Sequence, residues 1–288
     1  SAHVGLGNVL RAEGRSDLAA GRYTEALRLR PGYAEAHFNL AQTFRDRGFP
    51  ERALEQFRLA IEHKPDWAHA HTVLATVFMG YGRREDAVVE YEAAIALLPE
   101  QGSLHNDLGV VLLELGQLDA AREHYRLASD LAPENYRPQI NLANLALSVG
   151  DEVEALAALE QAVGAAPDAA EPAARLARFL ASCPETDQRD GQRAVDLAEH
   201  ALDLTGGEHA RVLDTLGMAY AATGRFPEAI SAAERGRKLA EQEGDSALSA
   251  EISGRLALFA AEQPWVRPSG AAPGEAAGAA PGDESPEG

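Results

Sequence analysis

Five prolines fall at one interval: Pro31, Pro65, Pro99, Pro133 and Pro167, each 34 residues after the last. Four histidines keep the same interval, at His3, His37, His71 and His105. A small residue behind leucine recurs with them (Leu6-Gly7, Leu40-Ala41, Leu74-Ala75, Leu108-Gly109, Leu142-Ala143), and so does an alanine at positions 19, 53, 87, 121 and 155. A fixed period of this length means stacked supersecondary units, each unable to bury its apolar face alone. It also overrides the two-domain prior that 288 residues would suggest, because such an array grows by adding units and not by enlarging one core.

The unit from Ala34 to Trp67 shows the local grammar. Ala36, Phe38, Leu40, Ala41 and Phe44 run at helical spacing. Gly48 supplies the positive-φ stop expected past a helix end, and Pro50 opens the next helix, whose first turn tolerates proline. Ala53, Leu54, Phe57, Ala60 and Ile61 form the inner face of that second helix, which Pro65 ends. Ala41 and Ala53 let the two backbones approach, while Phe44 and Phe57 fill the wider gaps on either side.

This pattern resembles the tetratricopeptide repeat. The resemblance runs from Ser1 to about Glu243 and is carried by Leu6, Gly7, Gly14, Ala19, Tyr23, Ala26 and Pro31 in the first unit. The third carries it through Leu74, Ala75, Gly82, Ala87, Tyr91 and Pro99, and the fourth through Leu108, Gly109, Gly116, Ala121, Tyr125 and Pro133. It implies an all-α, right-handed superhelical solenoid of helix-turn-helix units. Residues 1–262 are expected to form about seven repeats and a capping helix.

The sixth unit departs from the pattern. After Ala181 comes SCPETDQRDG, a longer turn than elsewhere, and Gly206-Gly207 replace the closing proline. The seventh returns to type with Leu216, Gly217, Tyr220, Gly224 and Ala229, but Gly236 and Glu241 stand where alanine and proline are usual. Ser246 to Ala261 is amphipathic, with Leu248, Ile252, Leu256 and Phe259 on one face, as a terminal cap requires. Residues 263–288 are Pro/Gly/Ala-rich, aperiodic and acidic at the end, which predicts a disordered tail, with Trp265 the one residue suited to dock back on the cap.

Composition excludes several functions. Net charge is −19 and no basic run exists, so nucleic acid and anionic membrane surfaces are disfavoured as partners. Cys183 is the only cysteine, which excludes an internal disulfide. No apolar run approaches the length of a membrane span. A cytoplasmic or periplasmic setting fits. The start at Ser1, without methionine, is that of a fragment or processed form. Two lysines beside many arginines, with abundant alanine, point to a GC-rich bacterial gene.

Catalytic and metal motifs fail on inspection. Zinc needs its ligand nitrogens at about 2.0–2.1 Å, whereas repeat-equivalent histidines are held apart by helices whose axes lie about 8–10 Å from one another. The histidines therefore read as packing residues. Gly5-Leu6-Gly7 lacks the third glycine and the strand of a dinucleotide loop. Asp187 to Gly191 lacks the alternating oxygen ligands and closing glutamate of a calcium loop and reads as a solvated turn. Cys183 has no evident catalytic partner. The chain reads as no enzyme and needs no cofactor.

What remains is the concave groove that first helices line in tetratricopeptide superhelices. By this resemblance Asn39, Gln42, Asn106 and Asp107 line it early, and Arg137, Asn141, Asn144, Arg175 and Arg178 late. Asn39 and Asn141 stand where the solenoid of O-linked N-acetylglucosamine transferase carries a groove asparagine ladder, which implies amides gripping an extended peptide backbone; Val73 and Asp107 interrupt it. The chaperone-type carboxylate clamp is absent, since both lysines, Lys64 and Lys238, fall in second helices. Charge shifts from Glu35, Asp46 and Asp107 to Arg137, Arg175 and Arg178, so an acidic ligand favours the later repeats. The expected function is a non-catalytic scaffold for a protein or extended peptide. The alternatives are a repeat module of a larger bacterial enzyme or membrane protein of glycosyltransferase-like kind, and a structural subunit or homo-oligomer in a multiprotein assembly.

Overall fold

A computed structural model describes residues 2–184 and 188–268. Among the described residues the chain is all-helical, with fifteen helices and no strand. They fall into pairs: α1 (Ala2–Ala12) with α2 (Ser16–Leu29), α3 (Ala34–Asp46) with α4 (Pro50–His63), α5 (Ala68–Gly80) with α6 (Arg84–Leu97), and α7 (Gly102–Glu114) with α8 (Leu118–Leu131). The series continues with α9 (Arg137–Ser148) and α10 (Glu152–Ala165), α11 (Ala170–Ser182) and α12 (Gly191–Leu204), and α13 (Ala210–Ala222) and α14 (Phe226–Glu243), and closes on α15 (Ser246–Ala260). Each is a helical repeat of the expected kind. The chain divides into two compact units, residues 1–131 and 132–288.

The turn inside six of the seven pairs uses a left-handed residue, and glycine supplies it at Gly14, Gly48, Gly82, Gly116, Gly150 and Gly224, with φ between 70° and 77°. Second helices α2, α4, α6, α8 and α10 each stop two residues short of the periodic proline, because the residue before proline is driven out of the α region.

In the first unit the alanines Ala19, Ala41, Ala53, Ala75, Ala87 and Ala121 are all fully buried, as close helix approach demands. Where that position is glycine, a tyrosine lies against it. A Cβ on Gly7 would come within 2.5 Å of the Tyr23 ring, and one on Gly109 within 2.7 Å of Tyr125. Phe38 of α3 packs at a tilt against Trp67, 4.7 Å between ring centroids, and lies 5.5 Å from the His69 ring of α5, which ties the second repeat to the third.

The periodic histidines pack, and they also hydrogen-bond. His37, His71 and His105 are buried, and each places Nε2 2.8–3.1 Å from the carbonyl of the proline six residues earlier (Pro31, Pro65, Pro99). A carbonyl only accepts, so Nε2 donates to it, while Nδ1 faces the second helix and meets Gln56, Glu90 and His124 in turn.

In the second unit, the long sixth turn runs from Ser182 to Gly191. Asp187 lies outside the described residues. Asp190 caps α12, its carboxylate accepting from the Arg193 N–H at 3.0 Å, and Arg189 Nε donates to the Cys183 carbonyl at 2.9 Å. Gly236 of α14 is a close-approach glycine, since a Cβ there would lie 2.9 Å from the Ala210 carbonyl. α15 covers this end with Leu248, Ile252 and Phe259, all buried.

Candidate groove site

The second unit contains a cleft of about 850 Å³ walled by the first helices α9, α11 and α13 and closed by α15 and the segment after it. The arginines Arg175 and Arg178 of α11, Arg211 of α13, Arg255 of α15 and Arg267 beyond it all border this space. Helical spacing accounts for the first pair: three residues apart, they project from one face of α11.

Their acid partners are fixed. Asp214 of α13 is fully buried and takes three hydrogen bonds: Arg255 Nε at 2.7 Å, Arg255 Nη2 at 2.8 Å and Arg178 Nη1 at 3.2 Å. Arg255 also reaches Glu251 at 3.4 Å. Burial pushes the Arg178 guanidinium below its ordinary value while Asp214 holds it up. A buried carboxylate shared by two guanidiniums holds both side chains in place, because neither charge can be left without its partner. Nearer solvent, Arg175 Nε donates to Glu171 at 2.9 Å, its Nη1 lies 3.5 Å from Asn144 Oδ1, and Arg211 stands 3.6 Å from Asp245.

Of the late groove residues expected from the sequence, Asn144, Arg175 and Arg178 border this cleft. Arg137 and Asn141 do not, and Arg137 is exposed at the start of α9. In the first unit, Asn39 Nδ2 donates to Asn8 Oδ1 at 3.0 Å, and the same oxygen accepts from the Tyr23 hydroxyl at 2.8 Å. Gln42 Oε1 accepts from Arg11 at 2.5 Å. Asn106 lies 3.4 Å from Asp107, whose carboxyl is raised by burial and lowered by that amide.

Sequence reasoning missed Asp214, Arg255 and Arg267. The available signal was a charge inside an apolar run: Asp214 follows Val212-Leu213, and Arg255 sits within Ile252 to Phe259.

These helix pairs place the chain in a known class. Two tetratricopeptide-repeat family models match it, one over residues 4–68 and 72–136, the other over residues 136–161 and 210–235. The chain belongs to the tetratricopeptide-repeat family. Among solved structures it is similar to that of pilF from Pseudomonas aeruginosa, with a TM-score of 0.57 and 24% identity over 77% of this chain and 96% of that one. A tetratricopeptide repeat protein from Parabacteroides merdae superposes with a TM-score of 0.56 and 16% identity, over 90% and 97% of the two chains. The Cut9–Hcn1 hetero-tetramer of APC/C matches at 0.54 and 16%, over 86% of this chain and 47% of that one. At these identities the likeness is one of fold. No curated relative matches the chain. No described helix is long and apolar enough to cross a membrane, and no cluster of three metal-ligating side chains occurs among the described residues.

Proposed function

We propose that this tetratricopeptide-repeat chain is a non-catalytic scaffold that holds an extended, acidic segment of a protein partner in the cleft of its second unit. The observation that carries the reading is the convergence of four arginines, Arg175, Arg178, Arg211 and Arg255, on one cleft in a chain of net charge −19. Asp214, the counter-ion of Arg178 and Arg255, is buried with its side chain 0% exposed, whereas Arg175 and Arg211 are 40% and 58% exposed. Guanidinium forks recognise carboxylates in two-point fashion, and Asn144 adds an amide for a peptide backbone. Asn39, Gln42, Asn106, Arg137 and Asn141 are secondary in this proposal, since the first two already hydrogen-bond within the protein and the others lie off the cleft.

The test is fluorescence anisotropy with a labelled Glu-Ala peptide and a matched Lys-Ala peptide. The acidic peptide should bind, more weakly as salt rises, and Arg175→Glu with Arg211→Glu should weaken it about tenfold or more. Equal binding of both peptides, or full binding by the double variant, overturns the reading.

A second reading, an assembly subunit, draws on the first helix, where Leu6 and Val9 are 44% and 54% exposed. The assembly named for Cut9–Hcn1 is a hetero-tetramer. Leu6→Glu with Val9→Glu would then abolish association seen by analytical ultracentrifugation and leave peptide binding intact.

A further inference from the structure

The segment after α15 is built like a ligand. At Glu262 the chain turns with φ 56°, a conformation that favours glycine. It then runs without helix through Pro264 and Pro268, which remove donors and keep the backbone extended. Trp265 lies in the cleft between two guanidiniums, 5.9 Å from Arg178 and 5.8 Å from Arg255 at the ring centroid. Two residues on, Arg267 is buried: its N–H donates to the Ser182 carbonyl at 2.8 Å, its guanidinium pairs with Glu152, and it lies 5.3 Å over Phe179.

The hold is incomplete. Arg267 Nε is buried and meets no hydrogen-bond partner among the described residues, which leaves a desolvated donor uncompensated. Among the described residues, the segment's backbone makes two hydrogen bonds, Gln263 N–H to the Leu258 carbonyl of α15 at 2.9 Å and Arg267 N–H to the Ser182 carbonyl at 2.8 Å. Trp265 meanwhile covers the two arginines anchored on Asp214.

Resting on the groove reading above, we infer that residues 263–268 are an intramolecular occupant of this cleft, a strap that an acidic partner segment displaces. With Trp265 withdrawn, Arg178 and Arg255 trade an aromatic face for carboxylates, the stronger charge-assisted interaction. The Arg267–Glu152 pair sets the threshold, because release leaves a largely buried carboxylate without its counter-ion. A ligand that binds only the open form has its apparent affinity reduced by the open fraction, so loosening the strap must raise affinity.

The experiment uses the full chain and the labelled Glu-Ala peptide. Trp265→Ala with Arg267→Ala, and separately Glu152→Gln, should each tighten binding about three- to tenfold. In a Trp67→Phe background Trp265 is the only indole, and acrylamide quenching of it should rise as peptide saturates the cleft. Unchanged or weaker binding by both helical strap variants overturns the inference, as does reduced quenching on saturation, which would make Trp265 a wall of the site. If the double variant loses helicity, Glu152→Gln and the quenching decide. Loss of binding in Arg175→Glu with Arg211→Glu, alongside strap variants that behave as wild type, leaves the groove reading standing and removes the strap. Wild-type affinity in that charge reversal removes the groove reading, and no binding by any form removes both.

Discussion

Arg255 of α15 grips Asp214 of α13 through two hydrogen bonds, 2.7 and 2.8 Å long, across 41 residues of chain. The carboxylate is fully buried and the guanidinium nearly so. The terminal helix is thus bound to the last repeat by a charge pair inside an otherwise apolar contact with Leu248, Ile252 and Phe259. Removing Arg255 leaves the buried carboxylate with Arg178 alone, at 3.2 Å, and takes away two of its three charge-assisted hydrogen bonds. Arg255→Ala should therefore cost about 1.5–3 kcal/mol, seen as a lower urea midpoint. Asp214→Leu with Arg178→Met and Arg255→Met, which removes the carboxylate and both its guanidiniums, should recover most of the loss; failure to recover would mean that the cluster contributes more than mutual neutralisation.

Two glycines should respond to alanine with opposite signs. Gly236 faces the Ala210 carbonyl so closely that a Cβ would lie 2.9 Å away, and Gly236→Ala should cost about 1–3 kcal/mol by overpacking. Gly21 lies exposed inside α2 with open space around it, and Gly21→Ala should gain about 0.5–1 kcal/mol from helix propensity. Denaturation midpoints of the two variants check the pair. Destabilisation by Gly21→Ala would contradict the open environment.

Period and composition made the helix pairs legible. Pro31 to Pro167 marked the ends of second helices, the turn glycines carried their left-handed φ, and Ala53 and Ala121 lay at the points of closest approach. The site was legible only in part. Arg175, Arg178 and Asn144 could be found because they repeat on first helices. Arg255 and Arg267 come from outside the repeat, where no equivalent position exists to compare, so the one mark on Arg255 was its charge inside an apolar run. Asp214 was hidden for another reason: its burial depends on two arginines remote in sequence. The asparagine at position 39 looked available for a peptide, yet its amide is engaged by Asn8, one repeat earlier.

The histidine pair of the fourth repeat predicts a pH dependence. His105 Nε2 donates to Pro99, so its Nδ1 accepts, and the contact at 3.0 Å with His124 Nδ1 requires His124 to donate. Burial first, and His105 second, push the His124 value down. A histidine depressed on folding contributes stability that is present above its unfolded value, about 6.5. As pH falls below that, the unfolded chain takes a proton that the folded chain refuses, and stability drops by at most about 1.4 kcal/mol per pH unit until the folded value is passed. Melting temperature should therefore fall between pH 7.5 and 5.5, and His124→Gln should flatten the fall. An unchanged slope in the variant would place the dependence elsewhere.

Two truncations separate the strap from the sequence beyond it. Residues 269–288 are rich in proline, glycine and alanine and carry little apolar area to bury, so ending the chain after Pro268 should leave helical signal and melting temperature nearly unchanged. Ending it after Glu262 removes Arg267 from Glu152 and Ser182 and Trp265 from the cleft. The lost ion pair is buried, and Glu152 is left without its counter-ion, so this shorter chain should melt several degrees lower. It should also bind acidic peptide more tightly, because the energy that held the strap no longer opposes the ligand. Differential scanning calorimetry and anisotropy on the same two proteins read both effects. Lower stability together with weaker binding would make the segment a fixed wall of the cleft, and equal stability in the two truncations would show that Trp265 and Arg267 contribute nothing to holding it closed.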